Sequence, residues 1–275
     1  MTLPNFLIIG AAKGGTTSLY HYLRQHPDIY MSPMKEPNYF TEEDQLFGKR
    51  SVRSRSEYER LFDGVRDEHA IGEATPRYLN AIGGVGRIHA DLPGVRLIAT
   101  LRQPADRGYS AYLMRFTDSR EWLSADEVLQ PGNYQFESGL YHAKLRRYFD
   151  TFPREQIKVI LFDDLITRPK DTVQSLYRFL GVDPDFAVDT SIQFNRTFFP
   201  RFVRLTRFFN ATASSWARTA PWASGTGLGT PIRRLLLRKP DPIPPALRRR
   251  LTDQYRDDII ATGELIGRDL SHWLT

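Results

Sequence analysis

Six consecutive residues near the start of the chain combine one cation, two glycines and three hydroxyls. They are Lys13, Gly14, Gly15, Thr16, Thr17 and Ser18. Glycines let the backbone approach a bulky anion and adopt positive φ. The four apolar residues Phe6–Ile9 predict a buried strand before this loop, and Thr16–Gln25 predicts a helix after it. Because a helix N-terminus presents free amides and a positive dipole end, and Lys13 adds a full charge, the loop predicts a phosphate or sulfate site.

Two other interpretations of this loop stay open from the residues alone. The Walker loop of nucleotide triphosphatases requires the pattern G-x-x-x-x-G-K-[ST]. Counting from Gly10 puts Gly15 in place, but Thr16 stands where the lysine belongs. This mismatch disfavours a P-loop kinase or other phosphotransferase. The remaining alternative is a glycine-rich turn that serves packing alone. In every case we expect Thr16 or Thr17 to cap the following helix.

Arg102 and Ser110 predict a second anion site. The run Val95–Leu101 predicts another buried strand, and Pro104 suits the first turn of a helix that continues to about Phe116. Ligands of parallel sheets bind beyond the carboxyl ends of the strands. If this strand neighbours the first one, Arg102 lies on the same edge as the loop, and Ser110 could join it on an anion. Two anion sites on one edge suggest a nucleotide with phosphates at both ends.

Strands alternate with helices between residues 5 and 180, which predicts an α/β fold with a parallel sheet covered by helices on both faces. Further strands are expected at Ile29–Met31, Ala70–Glu73 and Ile157–Phe162, and further helices at 138–152, 170–180 and 246–266. We expect a single domain over 1–275. It would have a core at about 5–185, a basic, loop-rich lid at about 190–245 and a C-terminal helix at about 246–275.

The composition is that of a globular protein whose charge is unevenly spread. Of the 275 residues, 41% are hydrophobic and none is cysteine, which excludes disulfides and thiolate metal sites and favours a reducing compartment. No apolar run reaches the ~20 residues of a membrane span, so we expect a cytoplasmic protein or a domain of a longer one. Nine basic residues and no acidic one lie between Arg196 and Pro240. Region 196–239 is therefore expected to face an anionic partner such as a membrane surface, whereas no RNA-binding signature predicts nucleic acid.

An ordered set of segments resembles the sulfotransferases that use 3′-phosphoadenosine 5′-phosphosulfate (PAPS). The set begins with Lys13–Ser18, Lys35–Phe40, Gly72–Pro76 and Leu101–Tyr112. It continues with Gly139–Tyr141, Phe162–Leu165, Phe179–Val182 and Gly267–Trp273. The resemblance covers nearly the whole chain and is closer to the heparan-sulfate-type branch and its bacterial relatives.

This resemblance implies a role for each candidate residue. The loop would act as a P-loop-like phosphosulfate-binding loop, with Lys13 bridging toward the leaving oxygen. Arg102 and Ser110 would hold the 3′-phosphate. Glu36 matches the glutamate that serves as general base in the heparan-sulfate-type branch, and its alternative is a solvated carboxylate paired with Lys35. The implied reaction is in-line sulfuryl transfer without a metal, leaving 3′-phosphoadenosine 5′-phosphate (PAP) as product.

Two departures from that branch leave the acceptor open. Ala74 stands where the branch carries a lysine, and its disulfide-flanked Lys-Gly-Arg segment has no clear counterpart in a chain without cysteine. Arg196 or Arg201 would then clamp the donor. The expected acceptor is a hydroxyl, or less readily an amine, of a small molecule, glycan or lipid. A non-catalytic module that binds an anionic surface through the basic region is a further alternative.

Overall fold

The computed structural model describes residues 2–42, 51–117, 123–191, 199–200, 237–238 and 241–275. Its strands are β1 (Phe6–Gly10), β2 (Ile29–Met31), β3 (Ala70–Ala74), β4 (Arg96–Leu101), β5 (Ile157–Leu161), β6 (Phe199–Pro200) and β7 (Leu237–Arg238). Its helices are α1 (Thr16–Leu23), α2 (Arg55–Glu59), α3 (Gly84–Asp91), α4 (Pro104–Thr117), α5 (Ala125–Val128), α6 (Tyr134–Glu137), α7 (His142–Thr151), α8 (Phe162–Thr167), α9 (Pro169–Leu180) and α10 (Pro245–Ile266). Short 3₁₀ turns lie at Arg60–Phe62, Tyr78–Asn80, Arg154–Gln156 and Ser271–Leu274.

The first five strands form one sheet in the order β2-β3-β1-β4-β5, and every neighbouring pair is parallel. Every residue of β1 is buried, because β1 is the central strand. Leu19 and Leu23 of α1 and Leu176 and Leu180 of α9 share one buried cluster with Ile8 of β1. The predicted α/β fold, with a central parallel sheet flanked by helices, is confirmed.

The described residues fall into two compact units. The first takes in those of Met1–Gln103, Leu140–Asn195 and Tyr255–Thr275 and contains the five-stranded sheet. The second takes in those of Pro104–Gly139 and Arg196–Gln254 and contains α4, α5, α6 and the antiparallel pair β6-β7. In the second unit, Arg248 and Asp106 form an ion pair of 2.6 Å. That ion pair ties the beginning of α10 to α4.

The predicted helices 170–180 and 246–266 agree with the structure. Helix α9 ends at Gly181, which has the left-handed conformation of a C-cap, and α10 begins within one residue of the expected Ala246. Of the expected lid at about 190–245, only its first residues, β6, β7 and residues from 241 onward are described. Most of the basic region 196–239, including Arg196 and Arg201, lies outside the described residues. The expectation of a single domain over 1–275, with the core, lid and C-terminal boundaries given above, stays a prediction.

Two local predictions are wrong. Neither Thr16 nor Thr17 caps α1, because the cap position is Gly15, which enters the helix with φ 96° and gives no side-chain cap. The predicted helix 138–152 begins too early, because α7 starts only at His142. The carboxylate of Asp258 on α10 accepts hydrogen bonds from the Tyr141 and His142 amides at 2.7 and 3.1 Å. A distant side chain thus sets this helix start, which sequence periodicity does not reveal.

Candidate functional site

The carboxyl end of β1 lies at a switch point of the sheet. The chain leaves β1 toward β2 and β3 on one side, whereas β4 and β5 lie on the other side. In open parallel sheets, ligands bind in the crevice at such a point, outside the carboxyl ends of the strands. The condition for placing Arg102 at the same edge as the loop is met, since β1 pairs directly with β4. The segments after β1, β3 and β4 therefore lie at one edge.

The loop between β1 and α1 has the backbone expected of an anion cradle. Lys13 has φ 71° and Gly15 has φ 96°. The amide of Leu19 bonds to the carbonyl of Gly15 at 3.1 Å, so Thr16, Thr17 and Ser18 form the first turn of α1. Left-handed backbone at a residue with a side chain costs about 1–3 kcal/mol and occurs mainly at functional sites. Lys13 is such a residue.

Thr100 of β4 anchors this loop to the sheet. Its buried hydroxyl donates to the carbonyl of Gly14 at 2.7 Å, and its carbonyl accepts from the amide of Ala11 at 2.8 Å. A β-carbon at Gly14 would collide with the Thr100 carbonyl, so this position requires glycine. The second glycine is also constrained, because a β-carbon at Gly15 would lie 2.9 Å from the ring of Phe162.

Phe162, the first residue of α8, links the loop to Arg102. The Arg102 guanidinium carbon lies 4.8 Å from the centroid of the Phe162 ring, in a cation–π arrangement. The same ring packs against Gly15. The structure therefore brings the loop and Arg102 together around one aromatic side chain, at the ends of β1 and β4.

Glu36 lies on the other side of the loop. The chain continues past β2 alongside β3, and the Glu36 amide bonds to the Ala74 carbonyl at 3.0 Å. Ala74 in turn pairs with Ile8 of β1, so the Glu36 backbone lies two strand spacings from β1, roughly 10 Å. The Glu36 carboxylate pairs with Lys35 at 3.1 Å, and both side chains are about a quarter exposed at 27% and 23%. Glu36 also has positive φ, at 61°.

A fully buried carboxyl, Glu73, supports the Glu36 segment. It accepts hydrogen bonds from Thr75 at 2.8 Å and from Tyr58 at 3.3 Å. Thr75 also accepts from the Asn38 amide at 3.4 Å, and the Asn38 side chain donates to the Glu36 carbonyl at 2.6 Å. Burial raises the pKa of Glu73 from 4.5 to about 7, although these hydroxyl donors and the charge of Lys35 act in the opposite direction.

Ser110 belongs to the second unit, so the structure describes it apart from the loop and Arg102. It lies on α4, and its side chain is 9% exposed. Within the described ranges, no group of three or more His, Cys, Asp or Glu side chains is arranged to hold a metal ion. In the same part of the chain, no helix is both long and apolar enough to cross a membrane.

The sequence did not identify four contributors to this edge of the sheet: Glu73, Thr100, Phe162 and Trp273. Only Glu73 carries a local signal, because a carboxylate stands out in the otherwise apolar strand Ala70–Ala74. Thr100 and Phe162 read as ordinary strand residues. Trp273 accepts a hydrogen bond from the Gln103 side chain through its carbonyl at 3.1 Å, a contact between residues far apart in sequence that no local pattern indicates.

Comparison with known proteins shows which family this chain resembles. Residues 73–186 match the family model described as "Sulfotransferase family". A crystal structure of a sulfotransferase from Alicyclobacillus acidocaldarius is 34% identical, covers 100% of both chains and has a TM-score of 0.77. Human heparan sulfate glucosamine 3-O-sulfotransferase 6 is 28% identical over 261 residues, 92% of this chain and 69% of that protein.

A third relative matches a shorter stretch. The membrane-associated sulfotransferase kil1 of Dictyostelium discoideum is 33% identical over 137 residues, half of this chain. The chain spans 27% of the length of that protein. The fold, the loop at the switch point and the full-length likeness to the bacterial enzyme lead to one assignment: this chain belongs to the PAPS-dependent sulfotransferase family.

Proposed function

We propose that this chain transfers a sulfuryl group from PAPS to a hydroxyl, or less readily an amine, by in-line attack. The observation that carries the proposal is the placement of two groups at one edge of the sheet. A cationic loop, Lys13–Ser18, follows β1, and the backbone of Glu36 lies about two strand spacings from β1. Such a pair can stabilise a leaving anion at one end and accept a proton at the other.

The loop suits the phosphosulfate end of the donor. Gly14 and Gly15 let the loop pack closely against Thr100 and Phe162, and α1 begins directly after them. A helix N-terminus at this place favours a bound anion. PAPS supplies an already activated sulfuryl group, so the protein mainly positions the reactants and stabilises charge. Lys13 would provide that charge at the leaving oxygen without a metal.

Arg102 and Ser110 are proposed to hold the 3′-phosphate. The support for Arg102 is its position at the end of β4, beside the loop and against Phe162. A guanidinium suits this role because its fork of donors binds phosphate in a bidentate manner. The proposed role of Ser110 follows from the resemblance.

Glu36 is proposed as the general base. An acceptor hydroxyl is a poor nucleophile until its proton leaves, and a positioned carboxylate contributes typically about 10²–10⁴-fold. The ion pair with Lys35 keeps this carboxylate oriented at 3.1 Å, and the fixed positive φ holds the backbone behind it. The ion pair of Glu36 with Lys35, which the sequence analysis gave as the alternative to a catalytic role, is thus present. This ion pair is compatible with Glu36 acting as a base that contacts the acceptor.

The acceptor class is a small molecule, glycan or lipid. Relatives named for heparan sulfate and carbohydrate substrates support a glycan, whereas Ala74 departs from the heparan-sulfate-type pattern. A cytoplasmic location, contact of 196–239 with an anionic membrane surface, and the lack of a nucleic-acid partner stay predictions.

The test is transfer of ³⁵S from labelled PAPS to a panel of a phenol, an alkyl alcohol, an amino sugar and a desulfated glycan. Labelled ATP with Mg²⁺ runs in parallel to detect a kinase. We expect sulfated product only with PAPS, and a loss of about 10²–10⁴-fold in kcat for Glu36→Gln with PAP affinity retained. Glu264→Gln, an exposed carboxylate on α10, is the matched control. Phosphorylation in place of sulfation, or full activity of Glu36→Gln, would refute the proposal.

A further inference from the structure

The segment that carries Arg102 is held from behind by the C-terminal end of the chain. Arg102 and Gln103 follow β4 without belonging to a helix or strand. The buried Gln103 side chain donates to the main-chain carbonyl of Trp273 at 3.1 Å. The Arg102 carbonyl accepts from the Tyr141 hydroxyl at 2.7 Å. Two side-chain hydrogen bonds therefore fix the backbone on which the guanidinium stands.

Trp273 is itself locked in place. Its side chain is 1% exposed, and its indole N–H donates to Asp163 at 2.7 Å. Tyr141 and Trp273 also pack together, with ring centroids 6.5 Å apart. A buried indole N–H without an acceptor is costly, so the Asp163 bond decides the position of Trp273.

Asp163 connects Trp273 to the residues around Arg102. It follows Phe162, the residue whose ring lies under the Arg102 guanidinium. The backbone at Arg102 is thus held by the Tyr141 hydroxyl and by the hydrogen bond between Gln103 and Trp273. The Arg102 side chain lies on the ring of Phe162, which precedes Asp163, the residue that binds the Trp273 indole. All of these residues lie in the first unit.

A second set of contacts holds the segments around Asp163 and Tyr141 in place. Asp164 pairs with Arg168 at 2.7 Å and with Arg268 at 2.9 Å, which ties the residues after α10 to α8. Asp258 holds the Tyr141 amide at 2.7 Å. Arg102 is held both at its backbone and at its guanidinium, so it loses less conformational freedom when it binds an anion. Such preorganisation raises affinity.

We propose that Trp273 is a positioning residue for donor recognition: through Asp163 and Gln103 it orients Arg102 for the 3′-phosphate of the nucleotide. This inference rests on the proposed role of Arg102. In this role Trp273 acts through Arg102 rather than through a contact of its own with the donor. Its effect should appear in the discrimination between nucleotides that have and lack a 3′-phosphate, rather than in binding of the adenosine and 5′-phosphate.

The experiment measures calorimetric dissociation constants of PAP and 5′-AMP for the full chain. The readout is the ratio of the AMP constant to the PAP constant. We expect Arg102→Ala to abolish the preference for PAP, and Trp273→Phe and Asp163→Ala to lower the ratio about fivefold to tenfold, with AMP affinity changed less than about twofold. Asp163→Asn retains an acceptor for the indole and should keep the wild-type ratio.

His272→Gln is the matched control, because His272 contacts the same Asp163 oxygen at 3.3 Å but is 51% exposed. It should leave the ratio unchanged. A merely structural role for Trp273 would weaken PAP and AMP in parallel, and that result would overturn the inference. If Arg102→Ala abolishes the preference and Trp273→Phe and Asp163→Ala do not lower it, the inference alone fails. If the wild type shows no preference, or Arg102→Ala keeps it, the role of Arg102 fails and the inference with it.

Discussion

Replacing the buried Glu73 with glutamine should change how the stability of the protein depends on pH. Burial raises the pKa of Glu73 to about 7 in the folded chain, against 4.5 when the group is exposed. The folded state therefore binds this proton more tightly than the unfolded state does. Between about pH 4.5 and 7 the folded state holds more protons, so the contribution of Glu73 to stability is greatest at low pH and is lost as the pH rises through about 7.

The magnitude follows from the two pKa values. A difference between 4.5 and about 7 corresponds to about 3 kcal/mol of unfolding free energy, since each pH unit is worth about 1.4 kcal/mol. Because Glu73 is 0% exposed, solvent screening does not reduce this figure. Glutamine at this position is neutral at every pH and can still accept the hydrogen bond from Thr75.

Urea denaturation of the wild type and Glu73→Gln at several pH values is the assay. We expect the variant to gain about 2–3 kcal/mol relative to the wild type between pH 5 and pH 8. Glu264→Gln, at an exposed position on α10, is the matched control. A constant difference for Glu73→Gln, or one that moves in favour of the wild type as pH rises, would refute the reasoning.

Two further predictions concern the loop. Gly15→Ala should weaken PAP binding and lower stability by about 1–3 kcal/mol, because it puts a β-carbon beside Phe162 at a backbone with positive φ. Gly132→Ala shares the positive φ but has open space, so denaturation should show a smaller loss and titration unchanged PAP affinity. Thr100→Val should cost about 1–3 kcal/mol by leaving the Gly14 carbonyl without its donor, and should weaken PAP binding. Thr100→Ser, which keeps the hydroxyl, should restore PAP affinity in the same titration; equal defects would contradict the anchoring role.

The sheet and its anion loop could be predicted because their signals are local. An unbroken apolar run such as Val95–Leu101 marks a strand buried on both faces, and a cation with glycines and hydroxyls after such a strand marks an anion site. The position of Arg102 at the same edge required only that two strands be neighbours. Those features depend on residues adjacent in the chain or on general rules of parallel sheets.

The remaining features depend on contacts that form only when the chain folds. The buried Glu73 accepts hydrogen bonds from Tyr58 and Thr75, and its apolar neighbours in β3 gave no indication that these hydroxyls face it. The start of α7 is set by Asp258, more than a hundred residues away. Thr16 and Thr17 are good capping residues by type, but the backbone requires glycine at the cap, so the hydroxyls fall inside the first turn.

The central claim is a donor site that recognises a 3′-phosphorylated nucleotide at the loop and Arg102. Calorimetric titration of the wild type and Arg102→Ala with PAP, 5′-AMP and ATP, without added magnesium, tests it most directly. We expect selective binding of PAP by the wild type and loss of that selectivity in the variant. Absence of PAP binding, or a preference for ATP that appears with magnesium, would contradict it.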